Sequence, residues 1–237
     1  MKSNLLIFGL MICVVFTGCG KPISRPFESG PGAVESLPSE AQTSEVISKE
    51  ELQNLTIEDL KNQSIEHEIK SGESLSEIAA KYDVGVGLLA RLNQIEDPNR
   101  IRGGQKIKVV QGPFRIVIHK KDRTLSILLK DLHFKTYDVA IGKLNSTPEG
   151  EFKILEKMVK PIWTDPYEGG LIKPDDPRYP LGTRWMLFAE YGYGIHGTND
   201  PASIKTEASF GCIRMLNPDV EEVYDLMSIG SQILILL

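Results

Sequence analysis

Two short stretches hold the side chains best able to make and break bonds: Tyr193-Gly194-Ile195-His196-Gly197-Thr198 and Ser209-Phe210-Gly211-Cys212-Ile213-Arg214. A thiol attacks as its thiolate, and with an unperturbed pKa of about 8.5 it needs a base or a positive charge beside it to react at neutral pH. His196 is the candidate base and Cys212 the candidate nucleophile. Glycine next to each reactive side chain permits a tight turn and lets a substrate approach the backbone. The N–H groups of Phe210, Gly211 and Cys212 are candidates for an oxyanion hole, where backbone donors hold the charge that develops on an attacked carbonyl. Each residue alone has a plainer explanation, since a single Cys is commonly a packing residue and a single His a hydrogen-bonding one.

The other cysteines sort themselves by position. Cys13 lies in an apolar run over residues 5–16 that follows Lys2 and reads as the core of an export signal, too short to span a bilayer comfortably. Phe16-Thr17-Gly18-Cys19 then resembles a bacterial lipobox, in which the cysteine is lipidated and becomes the mature N-terminus. Export with Cys13 removed and Cys19 blocked leaves Cys212 as the odd cysteine of its chain, and an odd cysteine of this kind is a candidate reactive thiol. The net charge of −5, with no Lys/Arg cluster, argues against nucleic acid as partner. His67, His119 and His133 are scattered, so no metal site is expected, and no cofactor.

The elements that must position these residues are mostly strands. Residues 116–118, 125–129 and 135–141 are β-rich runs separated by Lys120-Lys121-Asp122-Arg123 and Lys130-Asp131 turns. Strands at 152–155, 184–188 and 193–196 continue the sheet, Asn217 with Pro218 opens a helix as its cap, and residues 233–237 read as a buried strand. The Pro/Gly-rich stretch 161–182, with Trp163, Tyr167 and Tyr179, has the length of a lid or binding loop.

Together these residues resemble the L,D-transpeptidase catalytic domain over residues 114–237. Its signature is His-Gly, a spacer, then Ser-x-Gly-Cys-Ile-Arg, and here His196-Gly197 precedes Cys212 by 16 positions. Val139-Ala140-Ile141-Gly142, Thr147-Pro148-Glu149-Gly150-Glu151-Phe152 and Trp185 match as well. Phe210 departs from it, because many members carry a second His there; Ser209 is the remaining polar side chain of that turn. The resemblance implies a mainly β catalytic domain, a β-sandwich with a short helix. It further implies acyl transfer from a tetrapeptide stem of peptidoglycan, with Arg214, Gly197 and Thr198 against the substrate and carbapenems as covalent inhibitors. The acceptor stays open: a neighbouring stem, a lipoprotein lysine, a D-amino acid or water would each be served by the same Cys-His pair.

Upstream, residues 66–110 order as strand, helix, helix, strand. Ser74 and Glu77 form a capping box, with Leu75, Ile78, Ala79 and Tyr82 on one helical face. Gly72-Glu73-Ser74-Leu75-Ser76-Glu77-Ile78-Ala79, Leu92-Asn93 and Gly104-Gln105-Lys106-Ile107 resemble a LysM module, a small α+β (βααβ) unit that binds glycans containing N-acetylglucosamine. Gly72, Ser74, Leu75 and Asn93 are its candidate glycan residues, while Gly85 and Gly87 weaken the second helix by this reading. Residues 20–65 are rich in Ser, Pro, Gly and Glu and read as a flexible tether, with a short capping box at Ser48-Lys49-Glu50-Glu51 to which no function is assigned. The expected organisation is therefore a lipoprotein signal at 1–19, a tether at 20–65, LysM at 66–110 and the catalytic domain at 114–237. Such a chain sits in the cell envelope on the periplasmic or extracytoplasmic face, anchored through N-terminal lipid; Gly20 after Cys19 would allow outer-membrane sorting if the cell is Gram-negative, and which membrane stays open. Two rival readings are an NlpC-type cysteine peptidase, in which Cys would precede His, and an inactive wall anchor.

Overall fold

The computed structural model describes residues 55–165 and 169–237; Cys13, Cys19, the capping box at Ser48 and Tyr167 lie outside the described residues. Helix α1 (Ile57–Asn62) comes first, closed by a capping box in which the Thr56 hydroxyl accepts from Asp59 N–H and the Asp59 carboxylate accepts from Thr56 N–H. Leu60 is fully buried, and Leu55 N–H donates to the His133 carbonyl at 3.1 Å. The expected tether therefore stops short of residue 65, because residues 55–65 belong to the folded body. A helix of this length is marginal in isolation and is held here by packing against the rest of the chain.

Strand β1 (Ile65–Glu68), helices α2 (Leu75–Lys81) and α3 (Val86–Leu92) and strand β2 (Lys106–Val109) follow, with β1 and β2 antiparallel at Ile65↔Val109. Ser74 caps α2 by the expected box with Glu77, and Leu75, Ile78 and Ala79 are buried.

The larger part begins with the meander β3 (Phe114–His119), β4 (Thr124–Leu129) and β5 (Leu132–Asp138), whose side chains alternate between buried and partly exposed in β3 and β4. The expected strand through residue 141 is broken: β5 ends at Asp138, and β6 (Ile141–Gly142) turns to a different partner. Next come β7 (Gly150–Lys153), β8 (Glu156–Val159), β9 (Trp163–Thr164), β10 (Leu171–Ile172), β11 (Arg184–Ala189) and β12 (Tyr193–His196). The chain closes with β13 (Glu207–Ser209), β14 (Ile213–Arg214), helix α4 (Asn217–Leu226) and β15 (Gln232–Leu236). Two sheets dominate, in the orders β5-β4-β3-β15-β7 and β14-β12-β11-β8, and the last strand β15 runs parallel to β3 at Ile233↔Ile116. Ile116, Ile118, Leu125, Ile127 and Ile235 from one sheet and Met186, Phe188, Ile195 and Ile213 from the other share one apolar core with Val220, Val223 and Leu226 of α4. The described residues of the stretch 161–182 are held by the β9/β10 pairing and by a small separate cluster of Ile172, Tyr179 and Leu181 against Trp163 and Trp185.

The buried residues of the β1–β2 unit belong to the same core as the sheets. At the seam, Gly85 N–H donates to the Leu226 carbonyl at 2.9 Å, and Ser228 Oγ donates to Asp83 Oδ1 at 3.2 Å. A Cβ on Gly85 would lie 1.9 Å from the Asp225 carbonyl oxygen, and one on Gly87 would lie 2.3 Å from Asp225 Oδ1. The two glycines read as weakening α3 are thus the residues that let it close on the end of α4. Lys157 Nζ, on β8, donates to the Tyr224 and Met227 carbonyls at that same helix end, where a cation meets the negative pole of the helix. Burial pulls the Lys157 amine down to about 8.

Candidate active site

His196 ends β12 and is 3% exposed. Its Nδ1 lies 2.6 Å from the Gly197 carbonyl, which can only accept, so Nδ1 carries the proton and the lone pair of the neutral ring is on Nε2. The Trp185 indole, opposite His196 on β11, stacks on the imidazole with ring centres 5.5 Å apart and planes 27° apart. Burial lowers the His196 pKa to about 4, with the positive charge of Arg214 adding to the effect and the Gly197 hydrogen bond opposing it. The imidazole is therefore neutral at neutral pH.

Cys212 sits immediately before β14, which pairs in parallel with β12 at Ile195↔Ile213 and His196↔Arg214. Cys212 therefore stands beside the histidine strand, one residue before the Ile195↔Ile213 pair. The thiol is partly exposed, with Sγ 3.7 Å from the Gly192 carbonyl at the entrance to the histidine strand. The turn carrying it is closed from inside. Buried Ser209 donates from Oγ to the Cys212 carbonyl at 2.6 Å and accepts from Gly211 N–H at 3.1 Å. Gly211 adopts φ +127°, and a Cβ there would lie 2.2 Å from the Tyr193 ring, so any side chain at this position is excluded twice over.

A protein architecture built this way has relatives. The family model for the L,D-transpeptidase catalytic domain, YkuD, matches residues 113–235, and the LysM domain model matches residues 67–110. The YkuD protein of Bacillus licheniformis is 34% identical over 175 residues, which cover 70% of this chain and 96% of that protein. The chain belongs to the L,D-transpeptidase family. The YkuD protein of Bacillus subtilis is 34% identical over 177 residues, 71% of this chain and 97% of its own length. YqjB of the same organism is 37% identical over 126 residues, 51% of this chain and 69% of that one. The enzyme is thus an L,D-transpeptidase with a LysM domain, and the cysteine-peptidase and inactive-anchor readings fall away.

Several expected residues take more specific positions than their motifs suggested. The Gly211 N–H is turned into the turn toward Ser209, which removes it from the backbone groups considered for an oxyanion hole. Phe210 is 59% exposed. The Arg214 Nε is buried and has no hydrogen-bond partner among the described residues. Thr198 is 2% exposed, and its hydroxyl accepts from Asp200 N–H at 3.0 Å within its own turn. Gly197 leaves room for Asn217, whose Oδ1 would lie 2.2 Å from a Cβ there.

Asn217 itself corrects an expectation. It opens α4, but its side chain does not cap the helix: Oδ1 accepts from the N–H groups of Thr183 and Thr198, each at 3.2 Å, and Nδ2 donates to the Thr198 carbonyl at 3.1 Å. It thereby ties the His196-Gly197-Thr198 stretch to the start of β11. No local pattern announces such a contact, since its partners lie 19 and 34 positions away.

In the LysM module, the four candidate glycan residues serve the fold. Ser74 caps α2, Leu75 is 1% exposed, Asn93 bonds both the N–H and the carbonyl of Lys108, and Gly72 takes a positive φ of 81°. None of the four lines the cleft of about 770 Å³ formed by Glu68, Ile69, Lys70, Ser71, Gly103 and Gly104, whereas Asn93 lines a second one of about 540 Å³ with Glu66, Lys106 and Lys108.

Proposed function

We propose that Cys212 is the nucleophile of the transpeptidase and His196 its base. The observation that carries this reading is the parallel pairing of β12 with β14, which brings a buried neutral imidazole and a partly exposed thiol to one strand pair. The thiol sulfur adds to the carbonyl of the L-centre of diaminopimelate in a tetrapeptide stem as His196 takes its proton. The tetrahedral species collapses with loss of the C–N bond to the terminal D-Ala, whose amine leaves with that proton. The stem is then held as a thioester until an amine displaces the sulfur. Arg214, paired with His196 across β12 and β14, offers its guanidinium to a carboxylate of the stem. Glycan strands enter the cleft beside Gly103 and Gly104, and Cys19 carries the lipid that holds the enzyme at the membrane.

Intact-mass measurement with a disaccharide tetrapeptide, or with a carbapenem as a slowly released acyl donor, tests the assignment. The wild type gains the acyl mass, Cys212→Ala gains none, and His196→Ala gains it slowly with a steeper rise at alkaline pH as the thiol ionises near its unperturbed pKa of about 8.5. An adduct surviving in Cys212→Ala would show that another residue is acylated. For the anchor, Cys19→Ala moves the protein from the membrane pellet to the soluble fraction; retention in the pellet argues against lipidation.

A further inference from the structure

We infer that Thr147 is a positioning residue for the reaction, aiming the backbone N–H of Cys212 at the oxygen of the attacked carbonyl; this rests on the assignment of Cys212 as nucleophile. Thr147 is 1% exposed and lies 64 positions from the turn it supports. Its Oγ1 accepts from Gly142 N–H at 2.8 Å and donates to the Gly211 carbonyl at 3.1 Å. The Gly211 carbonyl and the Cys212 N–H are the two ends of one planar peptide unit, which is trans, and they point in opposite directions. Drawing the carbonyl inward onto a buried hydroxyl therefore turns the N–H outward. Gly211 at φ +127° has no side chain to resist rotation of that plane, so an outside tie is needed to hold it.

Thr147 is fixed in turn. Lys120, itself 3% exposed, donates from Nζ to the Thr147 carbonyl at 2.8 Å and to Glu149 Oε1 at 2.9 Å. Gly142 completes the support, because a Cβ on it would lie 2.8 Å from Gly211 Cα, and its absence lets the strand carrying the Thr147 tie pass directly under the turn. Ser209 fixes the neighbouring groups, the Gly211 N–H and the Cys212 carbonyl. Thr147 holds the carbonyl of the peptide between Gly211 and Cys212.

Two reactions of the same sulfur separate this role from a general support of the fold. Acylation by a carbapenem passes through a tetrahedral species: the S–C bond forms, the carbonyl electron pair moves to oxygen, and collapse opens the ring at its C–N bond, the nitrogen taking the proton. Alkylation by iodoacetamide displaces iodide directly and builds no charge on a carbonyl oxygen at the attacked carbon. In the full-length protein, Thr147→Val should acylate roughly 10- to 100-fold more slowly, short of the roughly 10²- to 10³-fold loss that follows outright removal of an oxyanion donor. Alkylation, read at the peptide containing Cys212, should stay within about threefold of wild type, and Thr147→Ser should restore acylation. If Thr147→Val does not fold, Lys120→Met, which frees the Thr147 carbonyl, should show the same split at smaller size. Equal loss in both reactions, or unchanged acylation in the folded variant, overturns the inference. Acylation persisting in a parallel Cys212→Ala sample would instead overturn the nucleophile assignment.

Discussion

The turn around Cys212 and the seam between the LysM module and the catalytic body use the same device for different ends. At each, glycine removes a Cβ so that one backbone can press on another group: Gly211 under the Tyr193 ring, Gly85 against the Asp225 carbonyl. At the turn the surrounding bonds, from Ser209 and Thr147, hold a conformation that the backbone would not keep by itself. At the seam a direct bond, Gly85 N–H to the Leu226 carbonyl, accompanies a continuous apolar core that carries the contact. The difference teaches that the turn is built for direction and the seam for adhesion, so substitutions at the two should fail differently: in rate at the first, in stability at the second.

The largest expected effect is on rate. Gly211→Ala must take both a φ of +127° and a contact with the Tyr193 ring, and acylation should fall by about 10³-fold, the size expected when oxyanion donors are lost or reacting groups are misplaced. Acylation kinetics by intact mass measure it, and a loss below about tenfold would show that the turn tolerates redirection.

Next is the pH dependence set by His196. Its pKa is about 4 in the folded chain against 6.5 for an unperturbed imidazole, so between those values the unfolded chain binds more protons and stability rises with pH. Acidification from 6.5 to 4 should therefore remove on the order of 3 kcal/mol, and His196→Gln should flatten that part of the profile, as denaturant titration at each pH will measure. The acid limb of activity should likewise lie well below the ordinary histidine range.

At the seam, Gly85→Ala should destabilise by about 2 kcal/mol, since the clash is with backbone and not with a side chain that can swing away. Acylation of the folded fraction should be kept. A melting temperature equal to wild type would mean that the module does not adhere to α4. Smallest is Thr56→Ala, which opens the capping box of α1 and should lower stability by about 1 kcal/mol if residues 55–65 share the cooperative body; no change would return that segment to the tether.

Much of this was legible in order of locality. The Ser74/Glu77 box, the alternation in β3 and β4 and the His196 and Cys212 motifs are patterns a few residues long, and each appears as a local element or turn. The α1 box at Thr56-Ile57-Glu58-Asp59 had the same form and was hidden by the polar composition around it. What escaped depends on distant partners. Gly85 and Gly87 looked like poor helix formers because Asp225 is far away in the chain, and Asn217 looked like a cap because Thr183 and Thr198 are not its neighbours. Thr147 matched a motif, but its purpose lies with Gly211.

The seam also sets how the enzyme meets its polymer. A sugar-binding module on a free string would let the thiol sweep every stem within reach of the string. Here α3 is pressed onto α4, so on the proposed glycan site a strand held beside Gly103 would keep one distance and one bearing from Cys212. On that proposal the molecule would work as a calliper: the helical pitch of the glycan, which turns successive peptides toward or away from a jaw that does not swivel, would decide which stems it can service.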